Sequence, residues 1–351
     1  MGGNTSLLAS TQWWFHAKNK WTAPGFKEAS KNFNEKDLAV DLKDKVFMIT
    51  GANSGLGFSM AKTLAKKNAT VIMLCRNKER GTKARDEIIK ETDNKNVRLE
   101  ILDVSRPQQI KSFAENYVQS KGRLDALVNN AGALFQKRKD TPEGFETTFA
   151  VHSLGAYLLT EYLMPSLAAT EPAGRVINMT SGGLYTVKMD AKHFQSPKKE
   201  FKGDGLNSDG ALVYSQCKRH QLYMTKALAK KYADVNKVKF HVTHPGWAKT
   251  AGTEEALPEW FNNMDLRTPE QGADTAVWLA VAQSGPPAES SGEFWFDREK
   301  AHGDFGGFLA NTASSQADID KLMAYLHQCK VEAENMKPAN IDDDNVSVES
   351  Q

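Results

Sequence analysis

From about Asp44 to Leu326 the chain alternates short apolar, β-branched runs with longer stretches of helical pattern. The runs Val46 to Thr50, Thr70 to Cys75, Val97 to Leu102, Ala126 to Asn129, Val176 to Thr180, Val238 to His244 and Glu293 to Phe296 predict seven strands. They are almost continuously hydrophobic, which predicts a parallel sheet covered on both faces. The intervening pattern predicts helices over Gly57 to Lys67, Asn77 to Thr92, Pro107 to Lys121, Phe145 to Leu167 and Val213 to Tyr232. Thr268, Pro269 and Gln271 open another, with a cap, a first-turn proline and a capping-box partner. The fold class this predicts is α/β: a single doubly wound domain over residues 44–326, with a seven-stranded parallel sheet and helices on both faces.

The flanks read differently. In residues 1–43, Trp13, Trp14, Phe15, Trp21 and Phe26 stand among Lys18, Lys20 and Lys27. That mixture fits peripheral membrane contact through residues 1–30, rings at lipid headgroups beside lysines, and equally a segment folded back over the main core. Met1, Gly2 and Ser6 match a myristoylation pattern. After Lys330 the chain turns polar and acidic, so residues 331–351 are expected to be disordered.

Composition narrows the class of function. The 45 Lys+Arg nearly balance 43 Asp+Glu, so nothing asks for nucleic acid or another polyanion. Cys75, Cys217 and Cys329 are too few and too scattered for a disulfide framework or a zinc site, and no other metal cluster appears. A reducing compartment follows, and with no apolar run long enough to span a bilayer the expected location is cytoplasmic or peripheral on a membrane.

Where the first strand ends and the first helix begins stands Thr50-Gly51-Ala52-Asn53-Ser54-Gly55-Leu56-Gly57. Gly51 permits the tight turn, Gly55 lets backbone approach a pyrophosphate, and Gly57 lets the helix pack closely on the strand. With this Gly-x3-Gly-x-Gly spacing the chain resembles the short-chain dehydrogenase/reductase family, and the domain is then of Rossmann type. Asn53, Ser54 and Leu56 belong to the same nucleotide loop by resemblance. After the second strand the chain reads Cys75-Arg76-Asn77, with no acid to accept the ribose hydroxyls of NAD, and Arg76 can pair with the 2′-phosphate of NADP. The expected cofactor is NADP, with NAD less favoured. Asp103 and Val104 resemble the family's adenine-contacting pair, and Asn129-Asn130-Ala131-Gly132 matches its motif after the fourth strand.

The candidate chemistry is Tyr214-x3-Lys218 with Ser181 upstream. Residues four apart share a helix face, so the Lys218 ammonium can favour the Tyr214 phenolate, which is otherwise a poor base near neutrality. The resemblance implies that Tyr214 exchanges a proton with the substrate oxygen, that Lys218 and Tyr214 also hold the nicotinamide ribose, and that Ser181 orients the carbonyl or alcohol. It further implies that Pro245 and Gly246 border the nicotinamide and that Thr250 contacts its carboxamide. His152 stands where many members carry an asparagine that fixes a water in a proton relay. A histidine could hold that water by either ring nitrogen, or mark lost activity.

Cys75-Arg76-Asn77, Asn129-Asn130-Ala131-Gly132 and Arg267-Thr268-Pro269 resemble the retinol dehydrogenase-like branch of the family. Ala256, Leu257, Pro258, Trp260, Phe261, Met264 and Leu266, with Leu184 and Tyr185, suggest an apolar lid and hence a lipophilic alcohol, aldehyde or ketone of retinoid, steroid or long-chain type, unless they pack on the protein's own core. The competing function is a nucleotide-binding but catalytically silent scaffold or redox sensor. The resemblance also points to a homodimer through the helices at Phe145 to Leu167 and Val213 to Tyr232, unless the N-terminal extension covers them.

Overall fold

The computed structural model describes residues 17–195, 198–203, 208–235, 237–256, 259–304, 306–307 and 310–336. Strands β1 (Val46–Thr50), β2 (Thr70–Cys75), β3 (Val97–Ile101), β4 (Ala126–Asn129), β5 (Arg175–Met179), β6 (Lys239–Thr243), β7 (Glu293–Phe296) and β8 (Glu299–Lys300) form one sheet in the order β3-β2-β1-β4-β5-β6-β7-β8. The first seven are parallel; Phe47, for instance, lies opposite Val71 on one side and Ala126 on the other. Reversal of strand order beside β1 opens a crevice at the carboxyl ends of β1 and β4, where doubly wound folds bind ligands.

Alternate strand residues feed two cores. Met48, Leu74, Leu127, Val176 and Val242 face helices α4 (Pro107–Gln119), α5 (Gly155–Ala168), α6 (Asp209–Lys231) and α8 (Gln316–Asn335). Phe47, Ile49, Val71, Met73, Val128 and Ile177 face α2 (Gly55–Ala65), α3 (Lys78–Thr92) and α7 (Pro269–Val281). Burial on both faces explains why the inner strands lack polar alternation, whereas β3, at the sheet edge, alternates and exposes Arg98 and Glu100. The capping box opening α7 is present, Thr268 and Gln271 each bonding the other's backbone.

The structure corrects the expected architecture in three places. An eighth, antiparallel strand follows β7 through Asp297 and Arg298, both in left-handed backbone (φ 49° and 60°). Two-residue hairpins usually recruit glycine or asparagine for this conformation, so the turn left no sequence signal. Here the strain is offset by two bidentate ion pairs, Asp297 with Arg267 and Arg298 with Asp274. Secondly, α8 runs past Lys330 to Asn335. Its buried stripe of Ile319, Leu322, Leu326, Cys329 and Ala333 continues beneath an acidic exposed face, and Tyr162 donates to Glu334 at 2.9 Å. Residues 331–335, expected to be disordered, are therefore helical, and residues 337–351 lie outside the described residues. Because α8 packs on α6 and α4, with Tyr325 against Phe149, the chain's own C-terminal helix covers part of the face on which a homodimer was expected.

Thirdly, the described part of the N-terminal extension folds back over the core. Trp21 is 2% exposed, ringed by Tyr185, His244 and Trp247, and its carbonyl accepts from the Trp247 amide at 2.7 Å and Arg267 Nε at 3.0 Å. Helix α1 (Ala23–Ser30) follows, and its Phe26 lies half-buried between Phe33 and the Arg267 guanidinium. These two rings are thus spent on the protein's own core rather than on lipid. Trp13, Trp14, Phe15 and the acylation pattern at Gly2 lie outside the described residues. No helix among the described residues is long and apolar enough to cross a membrane.

Candidate active site

The glycine loop joins β1 to α2. Gly51 (φ +66°) and Gly55 (φ +53°) take left-handed backbone, and a Cβ on Gly57 would stand 2.3 Å from the Gly51 carbonyl oxygen, so α2 and β1 approach as only glycine allows. Ser54 begins α2 without a side-chain cap, leaving the first-turn amides unmet by any side chain. Asn53, Leu56 and Gly55 are partly exposed along this edge. An amide-lined helix start free of side chains fits a pyrophosphate.

Thr50 ties this loop to the end of β4. Its hydroxyl accepts from the amides of Asn130 (2.9 Å) and Ala131 (2.8 Å), and Asn130 Nδ2 donates to the Thr50 carbonyl at 2.9 Å. Sequence reasoning passed over Thr50, a conspicuous hydroxyl at a strand end. Arg76, at the end of β2, is exposed and has no ion pair among the described residues, whereas Asn77 caps α3 by accepting from the Arg80 amide. Asp103 accepts from the Ser105 amide and hydroxyl, and Val104 is buried beside it. Thr250 lays its methyl 3.1 Å from where a Gly55 Cβ would stand, closing the crevice from the β6 side, and Pro245 and Gly246 (φ +70°) form the turn before it.

Ser181, Tyr214 and Lys218 converge at the ends of β5 and α6. Ser181 accepts from the Gly183 amide at 3.3 Å, as a turn cap does, and also hydrogen-bonds the Tyr214 phenol. Burial pushes the phenol above its ordinary range, and the serine bond opposes that push. Lys218 is 3% exposed; its Nζ donates to the Met179 carbonyl (2.8 Å) and Gln221 Oε1 (3.3 Å), 5.4 Å from the Tyr214 ring centre.

Burial brings the Lys218 amine from 10.5 down to about 7. The unfolded chain holds that proton up to the ordinary range, so between about 7 and 10.5 the unfolded state binds more protons and rising pH favours folding. Denaturant titrations of the apoprotein across this window should therefore show wild-type stability climbing more steeply with pH than Lys218→Met. Equal slopes would mean that the amine is hydrated in the folded protein.

The His152 ring hydrogen-bonds backbone rather than Lys218. It belongs to a π turn, Ala150–Leu154, is fully buried, and meets the Ala133 backbone through Nε2, 2.9 Å from the carbonyl. The ring lies edge-on to Tyr214 with centres 5.1 Å apart, and Nδ1 has no hydrogen-bond partner among the described residues. Burial, and secondarily the Lys218 charge, hold it well below the usual histidine range, so it is neutral. Gly132 is required beneath it, since a Cβ there would be 2.5 Å from His152 Cε1.

The described part of the expected apolar lid is largely core. Leu184 is fully buried, Tyr185 stacks on Trp21 and donates to the His302 carbonyl, and Phe261 packs against Trp247. Leu266 is buried, and Met264 is partly exposed. Leu257 and Pro258 lie outside the described residues, as do the side chains of Ala256 and Trp260. Trp21, Arg267 and Gln221, which the sequence reading did not place at the site, stand against it: a Cβ on Gly182, next to Ser181, would meet the Trp21 ring at 2.3 Å. No cluster of metal-ligating side chains occurs among the described residues.

Comparison with known proteins bears on the family and the fold. The family model described as short chain dehydrogenase matches residues 45–190. Human dehydrogenase/reductase SDR family member 12 is 38% identical over 325 residues, covering 92% of this chain and 98% of that protein. Human retinol dehydrogenase 12 is 32% identical over 263 residues, covering 74% and 79%. Among solved structures, 3-ketoacyl-(acyl-carrier-protein) reductase from Brucella melitensis, complexed with NADH, superposes with a TM-score of 0.56 at 24% identity, over 72% of this chain and 96% of its own. A short-chain dehydrogenase from Escherichia coli CFT073, complexed with NADPH, gives 0.57 at 23% identity over 76% and 100%. With the glycine loop, the Ser181, Tyr214 and Lys218 group and these relatives together, the chain belongs to the short-chain dehydrogenase/reductase family of oxidoreductases.

Proposed function

We propose that this protein is an NADP(H)-dependent oxidoreductase acting on a lipophilic alcohol or carbonyl compound. The convergence of Ser181, Tyr214 and Lys218 beside the glycine loop carries the reading. The nicotinamide, when bound, supplies or accepts the hydride. Gly51, Asn53, Ser54, Gly55, Leu56 and Gly57 would hold the pyrophosphate side. Asp103 and Val104 would meet the adenine, Asn130, Ala131 and Gly132 the ribose side, and Pro245, Gly246 and Thr250 the nicotinamide. Ser181 orients the substrate oxygen, Tyr214 gives it or takes from it a proton, and charged Lys218 makes the phenolate attainable.

Arg76 supports the choice of NADP, because an exposed guanidinium without an ion pair among the described residues is available for a 2′-phosphate. Arg76→Ala should weaken NADPH binding by roughly 10- to 100-fold and leave NADH within ~3-fold, read by cofactor fluorescence. Equal loss for both nucleotides would remove the basis for this preference. The lipophilic substrate class is supported by the likeness to retinol dehydrogenases rather than by the lid residues, since most of the described ones are core.

The test is reduced-nicotinamide absorbance with NADPH or NADH and a panel of retinal, steroid ketones and long-chain aldehydes. Substrate-dependent oxidation of NADPH supports the reading and ranks the substrates. Tight nucleotide binding without turnover across the panel would favour a catalytically silent scaffold.

A further inference from the structure

Lys218 and Gln221 lie three residues apart on one face of α6. Gln221 is 1% exposed, so each end of its amide needs a partner inside the protein. Oε1 accepts from Lys218 Nζ at 3.3 Å, and Nε2 donates to the His152 carbonyl at 3.0 Å. Chemistry fixes which way round the amide sits. The His152 carbonyl can only accept, so the flipped amide would set oxygen against oxygen there. His152 stands in the π turn, where the regular helical ladder is interrupted, and such turns recur at functional sites.

We propose that Gln221 is a positioning residue that ties the Lys218 side chain to the backbone of the π turn and holds its amine against Tyr214. What His152 contributes to the lysine is thus its carbonyl, while its ring packs on Tyr214 and Gly132. For its functional meaning the inference rests on the oxidoreductase reading; its test does not.

The amide favours the charged form of Lys218, because its oxygen can accept from an ammonium but offers a neutral amine no proton. The other groups around the amine are Tyr214 and Cys217 on the same helix, His152 on the π turn, and the Met179 carbonyl and Ser181 from the end of β5. Burial opposes the charge and Cys217 favours it, while the Met179 carbonyl and Gln221 Oε1 accept hydrogen bonds from the amine.

The experiment follows the Lys218 Cε resonance with pH in protein labelled with 13C at lysine Cε, assigned by its absence from Lys218→Met. Gln221→Met should move the Lys218 midpoint down by about one pH unit, and Gln221→Glu should move it up by at least about as much. Because the glutamate sets a second oxygen against the His152 carbonyl, Gln221→Asn, whose shorter amide should likewise lower the midpoint, keeps the test decisive if neither of the other variants folds. Coincident titration of Lys218 in wild type and variants would overturn the proposal. Steady-state kinetics separate the two levels. An active enzyme with unshifted Lys218 contradicts the Gln221 role alone, whereas shifted titrations in a protein that turns over nothing contradict the oxidoreductase reading alone. With an active wild type, Gln221→Met should lower kcat by about 10-fold with substrate KM little changed, since the lost contact touches Lys218 and not substrate.

Discussion

Tyr214→Phe should lower turnover by about 10²- to 10⁴-fold while weakening NADPH binding no more than about 10-fold. The asymmetry follows from geometry. The phenol hydroxyl is the group bonded to Ser181, and it is the only atom the substitution removes. The ring still fills its place against His152 and beneath the Lys218 amine. A general acid or base that disappears takes the proton-transfer contribution with it, whereas the nucleotide loses one contact among many. Stopped-flow measurement of NADPH oxidation, with cofactor fluorescence as the binding control, distinguishes these effects. Turnover within a few-fold of wild type would show that the proton comes from elsewhere.

The second large effect concerns stability. Arg267→Met should cost roughly 3–5 kcal/mol in urea denaturation, because it strands Asp297. The guanidinium is 1% exposed and the carboxylate 7%, and they pair through two bonds of 2.6 and 2.8 Å. Arg267 also donates to the carbonyls of Trp21 and Lys20 and lies against the rings of Phe26 and Phe296. One side chain thus joins the β7–β8 turn to the N-terminal segment that packs on Gly182 and Trp247. The variant should accordingly be cut by protease within residues 17–40 sooner than wild type. Arg267→Met with Asp297→Leu should recover part of the lost stability, since no charge is then left buried alone. If the single variant is as stable as wild type, the ion pair does not close this corner of the fold.

What was legible in the sequence follows from how local each signal is. β1, β2, β4 and β7 occur where the apolar runs place them, because a strand buried on both faces must be apolar throughout. The glycine loop was legible because its backbone excludes side chains at Gly51, Gly55 and Gly57. Ser181, Tyr214 and Lys218 were legible from spacing and from place after a strand. Arg267 and Asp297, thirty residues apart, and Trp21 against Gly182, much farther apart in the chain, carry no local signal; their partners are chosen only when the sheet assembles. The reach of α8 was missed because beyond Lys330 a single buried alanine, Ala333, holds the stripe amid acids. The aromatic N-terminal pattern suits lipid and core alike, since a tryptophan buries the same surface in either, and only the tertiary contacts of Trp21 distinguish them.

His152 shows a different limit. Its position in the chain invited a reading through its ring, yet the backbone carbonyl does the holding, through a glutamine one helical turn beyond Lys218. Residue identity says little about a carbonyl, which every residue possesses. Gln221 could have been found by asking which polar side chains share the Tyr214 and Lys218 face of α6.

Titration of the purified protein with NADPH and with NADH by cofactor fluorescence tests the central claim most directly. Saturable binding of NADPH at micromolar concentration is expected, with weaker binding of NADH and loss of the difference in Arg76→Ala. Absence of binding by either nucleotide would contradict it, because the turn of Gly51 to Gly57 and its uncapped helix would then serve only to pack α2 on β1.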